Sequence, residues 1–254
     1  MRSIRARRHP LRRKWFSRPW GVVAIGVAVV AVGVAVFLIT GSRPSGPRPL
    51  TPDEANRLAI TRFLNYQAAG RAVTITVPTA SGGLVITGSV DFRAHVGYGV
   101  VRGTGRDTSS DGLIQWSATA VSVNPMVETP MAAPATPPDS GWRRRPLSTS
   151  GSALDSALLI TLSLAGDRPE NAELLPQNGA TWIGRERVGD LEVDVMAGPA
   201  ARARPGTAGN VRYWVDADGT MRRVHADVAS EPRPVVIDFD ARPYVPVQPV
   251  PGMR

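Results

Sequence analysis

Residues 21–40, GVVAIGVAVVAVGVAVFLIT, run for twenty positions without a charge, and no other stretch constrains the chain so tightly. A helix of that length is about 30 Å long at ~1.5 Å per residue, which is the thickness of a bilayer's hydrocarbon core. Ahead of it stand Arg2, Arg5, Arg7, Arg8, Arg12, Arg13, Lys14 and Arg18, and no acid precedes Asp53. Positive charge flanking a first apolar segment stays in the cytoplasm, so the sequence predicts a cytoplasmic N-terminus and an extracytoplasmic remainder. Trp15, Phe16 and Trp20 fall where an interfacial aromatic belt would lie. The expected organisation is a basic cytoplasmic tail (1–20), a transmembrane signal-anchor helix (21–40), a Pro/Gly/Ser linker (41–50) and an extracytoplasmic domain (51–254). The expected location is the cell membrane, crossed once.

Three other readings of the N-terminus fit less well. A cleaved signal peptide has an apolar core of about 7–15 residues and a small-x-small site; here the core is longer, and Thr40-Gly41-Ser42 is a poor site. A lipoprotein needs an acceptor cysteine, and the chain has none. Arg12-Arg13-Lys14-Trp15-Phe16 offers the paired arginines of a twin-arginine signal, but a tail this basic contains such pairs anyway.

The net charge of +9 is concentrated in that tail, which holds eight of the thirty basic residues and none of the twenty-one acids. Beyond it, 22 basic residues face 21 acids, a net charge of +1. A nucleic-acid reader needs its basic patch in the binding domain, so nucleic acid is not an expected partner. The absence of cysteine excludes disulfides, thiol catalysis and thiolate metal sites.

The outer part opens with a helix signal. Thr51 suits the N-cap, Pro52 the first helical position and Glu54 the third, a capping box. Ala55, Leu58, Ala59, Phe63 and Leu64 recur at helical spacing, with Gly70 as the expected stop. The period then falls to two: Val73, Ile75 and Val77; after a Ser81-Gly82-Gly83 turn, Leu84, Ile86, Val90 and Phe92; then Val96, Tyr98 and Val100. Leu113–Val123 reads as a further strand, with Ile114 and Trp116 on one face. Residues 124–141 hold five prolines and cannot form a central strand. A loop that long is expected to be mobile and to border a cavity mouth. Ser152–Ala165 reads as a buried helix carrying Leu154, Leu158, Leu159, Leu162 and Leu164. Thr181–Arg187 with Leu191–Met196, and Asn210–Val215 with Thr220–Val228, read as hairpins; Val235, Ile237 and Phe239 mark a last strand before a proline-rich end.

Strands apolar on one face and polar on the other indicate an antiparallel sheet with one covered face, and the two helices are its available cover. The expected fold class is therefore α+β: a strongly curved antiparallel sheet, a half-barrel, covered on one face by helices, plus the N-terminal transmembrane helix. An apolar gap between the layers would accept a lipid tail. Its expected lining is Leu84, Ile86, Val90, Phe92, Ile114, Trp116, Leu158 and Leu162.

Arg212-Tyr213-Trp214-Val215-Asp216-Ala217-Asp218-Gly219-Thr220-Met221-Arg222-Arg223-Val224 resembles the hairpin late in LppX/LprG-type lipoproteins of actinobacteria and their LolA-like relatives. Ser140-Gly141-Trp142-Arg143 before a helix resembles their approach to an inserted helical segment. Val236-Ile237-Asp238-Phe239 followed by Pro243-Tyr244-Val245-Pro246-Val247 resembles their closing strand and tail. The resemblance covers element order over about residues 51–250. It implies a lipid-binding envelope protein, with the apolar segment taking over the anchoring role of the family's acylated cysteine. A carrier tethered in this way cannot leave its membrane.

An enzyme finds little support in the residues. Outside the tail the histidines are His95 and His225, both read as strand residues, and no G-x-S-x-G, H-E-x-x-H or P-loop pattern occurs. Asp190, Glu192 and Asp194 alternate with apolar residues and read as the solvated face of a strand. Asp216-x-Asp218-Gly219 has the start of a calcium loop without its later ligands. The expected function is non-catalytic, without metal or cofactor: binding of a lipid or other apolar ligand, with membrane lipids or another envelope protein as partners. The alternative is a sensory or scaffolding domain acting through protein contacts.

Overall fold

Thr51 and Glu54 start the first helix reciprocally. In the computed structural model, the Thr51 hydroxyl accepts from the Glu54 amide at 3.3 Å, and the Glu54 carboxylate accepts from the Thr51 amide at 2.8 Å. This capping box opens α1 (Pro52–Gln67). Gly70 is not its stop. Ala69 takes the left-handed position at φ 61, and Gly70 begins the next strand, where a Cβ would lie 2.3 Å from the Tyr244 ring. The structure describes residues 46–79, 82–105, 110–148, 152–199, 211–228, 231–250 and 252. The segment 21–40, and with it the expected transmembrane helix, lies outside them. Among the described residues no helix is long and apolar enough to cross a membrane.

The strands are β1 (Arg48–Pro49), β2 (Gly70–Thr79), β3 (Gly82–Asp91), β4 (Val96–Gly103), β5 (Gly112–Ser117), β6 (Ala120–Pro125), β7 (Arg143–Pro146), β8 (Thr181–Val188), β9 (Leu191–Ala197), β10 (Val211–Val215), β11 (Met221–Ala226) and β12 (Val235–Phe239). They form one antiparallel sheet in the order β1-β8-β9-β10-β11-β12-β2-β3-β4-β5-β6-β7. The remaining helices are α2 (Ala153–Ser163) and α3 (Leu174–Gln177).

The expected α+β half-barrel is corrected by this arrangement. The sheet is open, with β1 and β7 as its edges, and among the described residues twelve strands outweigh three helices of 16, 11 and 4 residues. Nor is one face left to solvent. On the first face, α2 packs against β2, β3, β5 and β12, while α1 packs against β2, β10 and β11. On the second face, Tyr98, Val100 and Leu113 are buried under Met126, Ala133, Trp142 and Val247. That cover comes from the Pro-rich segment and the C-terminal tail, two segments without regular structure. Helical cover is therefore only half of what keeps the sheet dry.

Strand pairing explains the remaining departures. Leu113–Val123 is two strands, β5 and β6, folded back through Ala118 and Thr119 with Trp116 opposite Val121. That turn carries none of the Gly, Pro or Asn residues that mark turns in sequence. β7 consists of Arg143, Arg144, Arg145 and Pro146, all exposed, and so has no apolar alternation to betray it. Charge and proline on a short strand are what an unpaired sheet edge tolerates.

Candidate functional site

The eight residues expected to line a lipid cavity do come together, but as packed core. Ile86, Val90, Phe92 and Trp116 are 0 % exposed, Ile114 is 1 %, Leu158 0 % and Leu162 5 %; all belong to one apolar cluster, with Leu84 packed against it. Phe92 sits in the turn after β3, beyond the strand expected for it. The geometry leaves little room between the layers. Gly97 and Gly99 face Trp116 and Ile114 across β4 and β5, and a Cβ on Gly97 would lie 2.1 Å from the indole. The ring fills the space that Gly97 leaves open, whereas a Cβ on Gly99 would meet the Thr87 carbonyl oxygen of β3 at 2.7 Å. Val73, Ile75, Val77 and Ile237 complete the sheet side, and Ala157 lets α2 approach closely. The tail-binding gap expected between sheet and helices is occupied by the protein's own side chains.

Unfilled volume lies elsewhere: clefts of about 140 and 580 Å³ adjoin α1 on the helix side, lined among others by Leu58, Arg62, Glu170, Leu175 and Tyr213, and two more lie on the second face. Ala72, Thr87, Gly88, Ser89 and Tyr98 of β2–β4 floor a cleft of about 290 Å³, walled by Ala132, Ala133 and Pro134 and by Pro243 and Val245. A second cleft of about 520 Å³ lies between Thr136, Pro137 and Asp139 on one side and Gln248, Pro249, Val250 and Gly252 on the other. Both are bounded by the Pro-rich segment and the tail. The Pro-rich segment is thus fastened to the sheet: Arg102 donates to the carbonyl oxygens of Thr129 (3.3 Å) and Pro130, Asn124 Nδ2 to that of Ser140 (2.9 Å), and Trp142 Nε1 to that of Pro138 (2.7 Å). It borders clefts on the face away from the helices, not the mouth of a cavity between sheet and helices. Val127 and Met131 point outward from it, fully exposed or nearly so.

The groove holds two polar groups that burial makes costly. Gln115 is 0 % exposed and spans the tail: its Nε2 donates to the Gln248 carbonyl at 2.7 Å, and its Oε1 accepts from the Val250 amide at 2.9 Å. Tyr98 is 6 % exposed, its hydroxyl has no hydrogen-bond partner, and burial pushes its pKa up to about 12. The sequence marks Tyr98 only as an apolar strand position beside Val96 and Val100, and nothing in it marks Gln115. One signal was available: Pro243, Pro246 and Pro249 recur every third residue, each followed by Tyr244, Val247 or Val250.

The titratable clusters elsewhere are structural. Asp194 does not lie on a solvated face. It is 6 % exposed, accepts from Trp182 Nε1 at 3.0 Å and Arg185 Nε at 3.3 Å, and pairs with Arg57 of α1, while Asp190 and Glu192 are exposed as expected. Asp216 spends one oxygen on the amides of Asp218 (3.0 Å) and Thr220 (2.9 Å) and the other on Arg222, which closes the β10–β11 turn. His95 is not in a strand but exposed in the turn before β4, at φ 52. His225 lies in β11 with its ring 4.2 Å from that of Trp214, and its pKa is lowered by burial and by Arg223. Among the described residues no group of three or more His, Asp or Glu is placed to hold a metal ion. No family model and no curated protein matches the chain.

Proposed function

We propose that this domain is a non-catalytic module of the cell envelope, tethered by residues 21–40, that works through protein contacts on the second face of its sheet. The observation that carries this reading is the packing of the eight residues expected to enclose a lipid. They are spent on a packed core with α2, and the second face keeps clefts of about 290 and 520 Å³ beside irregular, proline-rich chain. The extracytoplasmic setting rests on the basic tail and apolar run, and on the resemblance of the Arg212–Val224 hairpin to LppX/LprG-type proteins.

Val90→Trp tests the choice between contact module and lipid carrier. Val90 is 0 % exposed on the helix side, so the larger ring should overpack the core and lower stability by roughly 1–3 kcal/mol. The wild-type chain should show no saturable uptake of a fluorescent fatty acid. Saturable uptake that Val90→Trp abolishes without lowering the melting temperature would establish an open cavity and return the function to lipid binding.

A further inference from the structure

The last residues of the described chain form a repeating pattern that the sheet reads. From Pro243 to Val250 the least exposed residues are Tyr244 and Val247, both half-buried, and Val250, buried, a period of three. Three residues per turn is the period of a polyproline II helix, and Pro243, Pro246 and Pro249 supply the fixed backbone angle that favours it. Each of the three has its own seat. The Tyr244 ring lies over Gly70, where a Cβ would lie 2.3 Å from it, and its hydroxyl donates to Asp91 at 3.1 Å. Val247 packs with Tyr98, Val100 and Leu113, and Val250 is 1 % exposed.

A polyproline backbone makes no internal hydrogen bonds, so a protein that recognises it must supply partners from outside. Here Ser89 Oγ accepts from the Val245 amide at 3.1 Å, and the buried Gln115 carboxamide serves both the Gln248 carbonyl and the Val250 amide. Without an occupant the Gln115 donor and acceptor would both lose their partners at the floor of an apolar groove, which is costly. Two features show that the tail is an imperfect occupant. The clefts of about 290 and 520 Å³ flank it, and the Tyr98 hydroxyl beside it remains unpaired.

We infer that the second face is a recognition groove for extended proline-rich segments of a partner protein, with proline at every third residue and an aromatic or branched apolar residue after each, and that residues 243–250 occupy it in cis. This rests on the contact-module reading above and names the partner's chemistry. A tail joined to the domain has a high effective concentration, so a partner competes only when it fits better or is itself held close. The unpaired Tyr98 hydroxyl is a place to fit better, by accepting its hydrogen bond.

The test uses two variants of the full chain: one ended after Arg242, and one with Tyr244, Val247 and Val250 all changed to Ser. The probe is a labelled peptide, RPYVPVQPVPG, the sequence of residues 242–252. Both variants should bind it saturably at one peptide per chain and gain melting temperature with it, whereas the intact chain should bind at least tenfold more weakly. A peptide with Ser at the positions of Tyr244, Val247 and Val250 should not bind, and Gln115→Ala in the truncated chain should weaken binding at least tenfold. Folded variants that ignore the peptide would overturn the inference. So would variants that fail to fold and are not rescued by it, since the tail would then be core rather than occupant. A full chain found as a dimer with exchanged tails would assign the groove to a second copy and overturn the partner. Fatty-acid uptake sensitive to Val90→Trp would instead defeat the parent reading, and that measurement reports on the opposite face.

Discussion

Asp194 gathers three donors in the space of one carboxylate: Arg57 from α1, and Trp182 Nε1 and Arg185 from β8. It is 6 % exposed, while Arg185 is largely in solvent, so its value lies in what it satisfies rather than in free Coulomb attraction. Asp194→Ala would leave the Trp182 donor and the Arg57 guanidinium, whose Nε already lacks a partner, without an acceptor. The expected loss is about 1–3 kcal/mol in urea unfolding, and Asp194→Asn should recover part of it because an amide oxygen still accepts from Trp182. Equal loss in the two variants would contradict this role. The pattern Asp190, Glu192, Asp194 reads as one polar face, and two of the three do face solvent. The third meets a helix whose arginine comes from 137 residues away in the chain, a separation no local period encodes.

At the scale of elements, local chemistry was legible wherever it was self-contained. The α1 capping box and both hairpins, β8–β9 and β10–β11, stand where the residues put them. The capping box also makes a pH prediction. Arg48, donating to Glu54 at 2.7 Å through two nitrogens, holds that carboxyl at about 2 against an ordinary 4.5. A carboxyl lowered by folding stabilises fully above its unfolded pKa and loses that contribution as pH falls through the folded one. Stability measured by thermal unfolding should therefore drop between about pH 4.5 and 2, and Glu54→Gln should flatten that part of the curve. An unchanged acid limb would mean that the Arg48–Glu54 pair contributes nothing. Elements with neither period two nor period 3.6 were the ones missed. β7 is three arginines and a proline, β1 is two residues inside the expected linker, and the cover of the second face is irregular chain. The tail's period of three was present in the sequence, but its meaning depends on the seats that Gly70 and Gln115 provide from strands more than 130 residues earlier.

For the whole molecule, the account holds that one open sheet is covered on both faces by different means: helices on one, proline-rich chain on the other. The residues expected to line a lipid cavity lie in or against one apolar cluster, and whether such a cluster is a cavity or a core depends on side-chain volumes meeting across layers. Trp116 over Gly97 decides that here. Period-two alternation likewise marks apolar positions without telling which face they join: Val96, Tyr98 and Val100 read as a continuation of the covered face, yet Tyr98 and Val100 lie on the second face with Leu113 and Gln115, where Val100, Leu113 and Gln115 are all 0 % exposed. The chain's lack of cysteine makes this directly measurable. A single thiol introduced as Val100→Cys should react with a soluble alkylating reagent at least a hundredfold more slowly than one introduced as Val127→Cys, a position fully open to solvent. Equal rates at the two positions would show the second face bare, and would contradict both the double cover and the groove built on it.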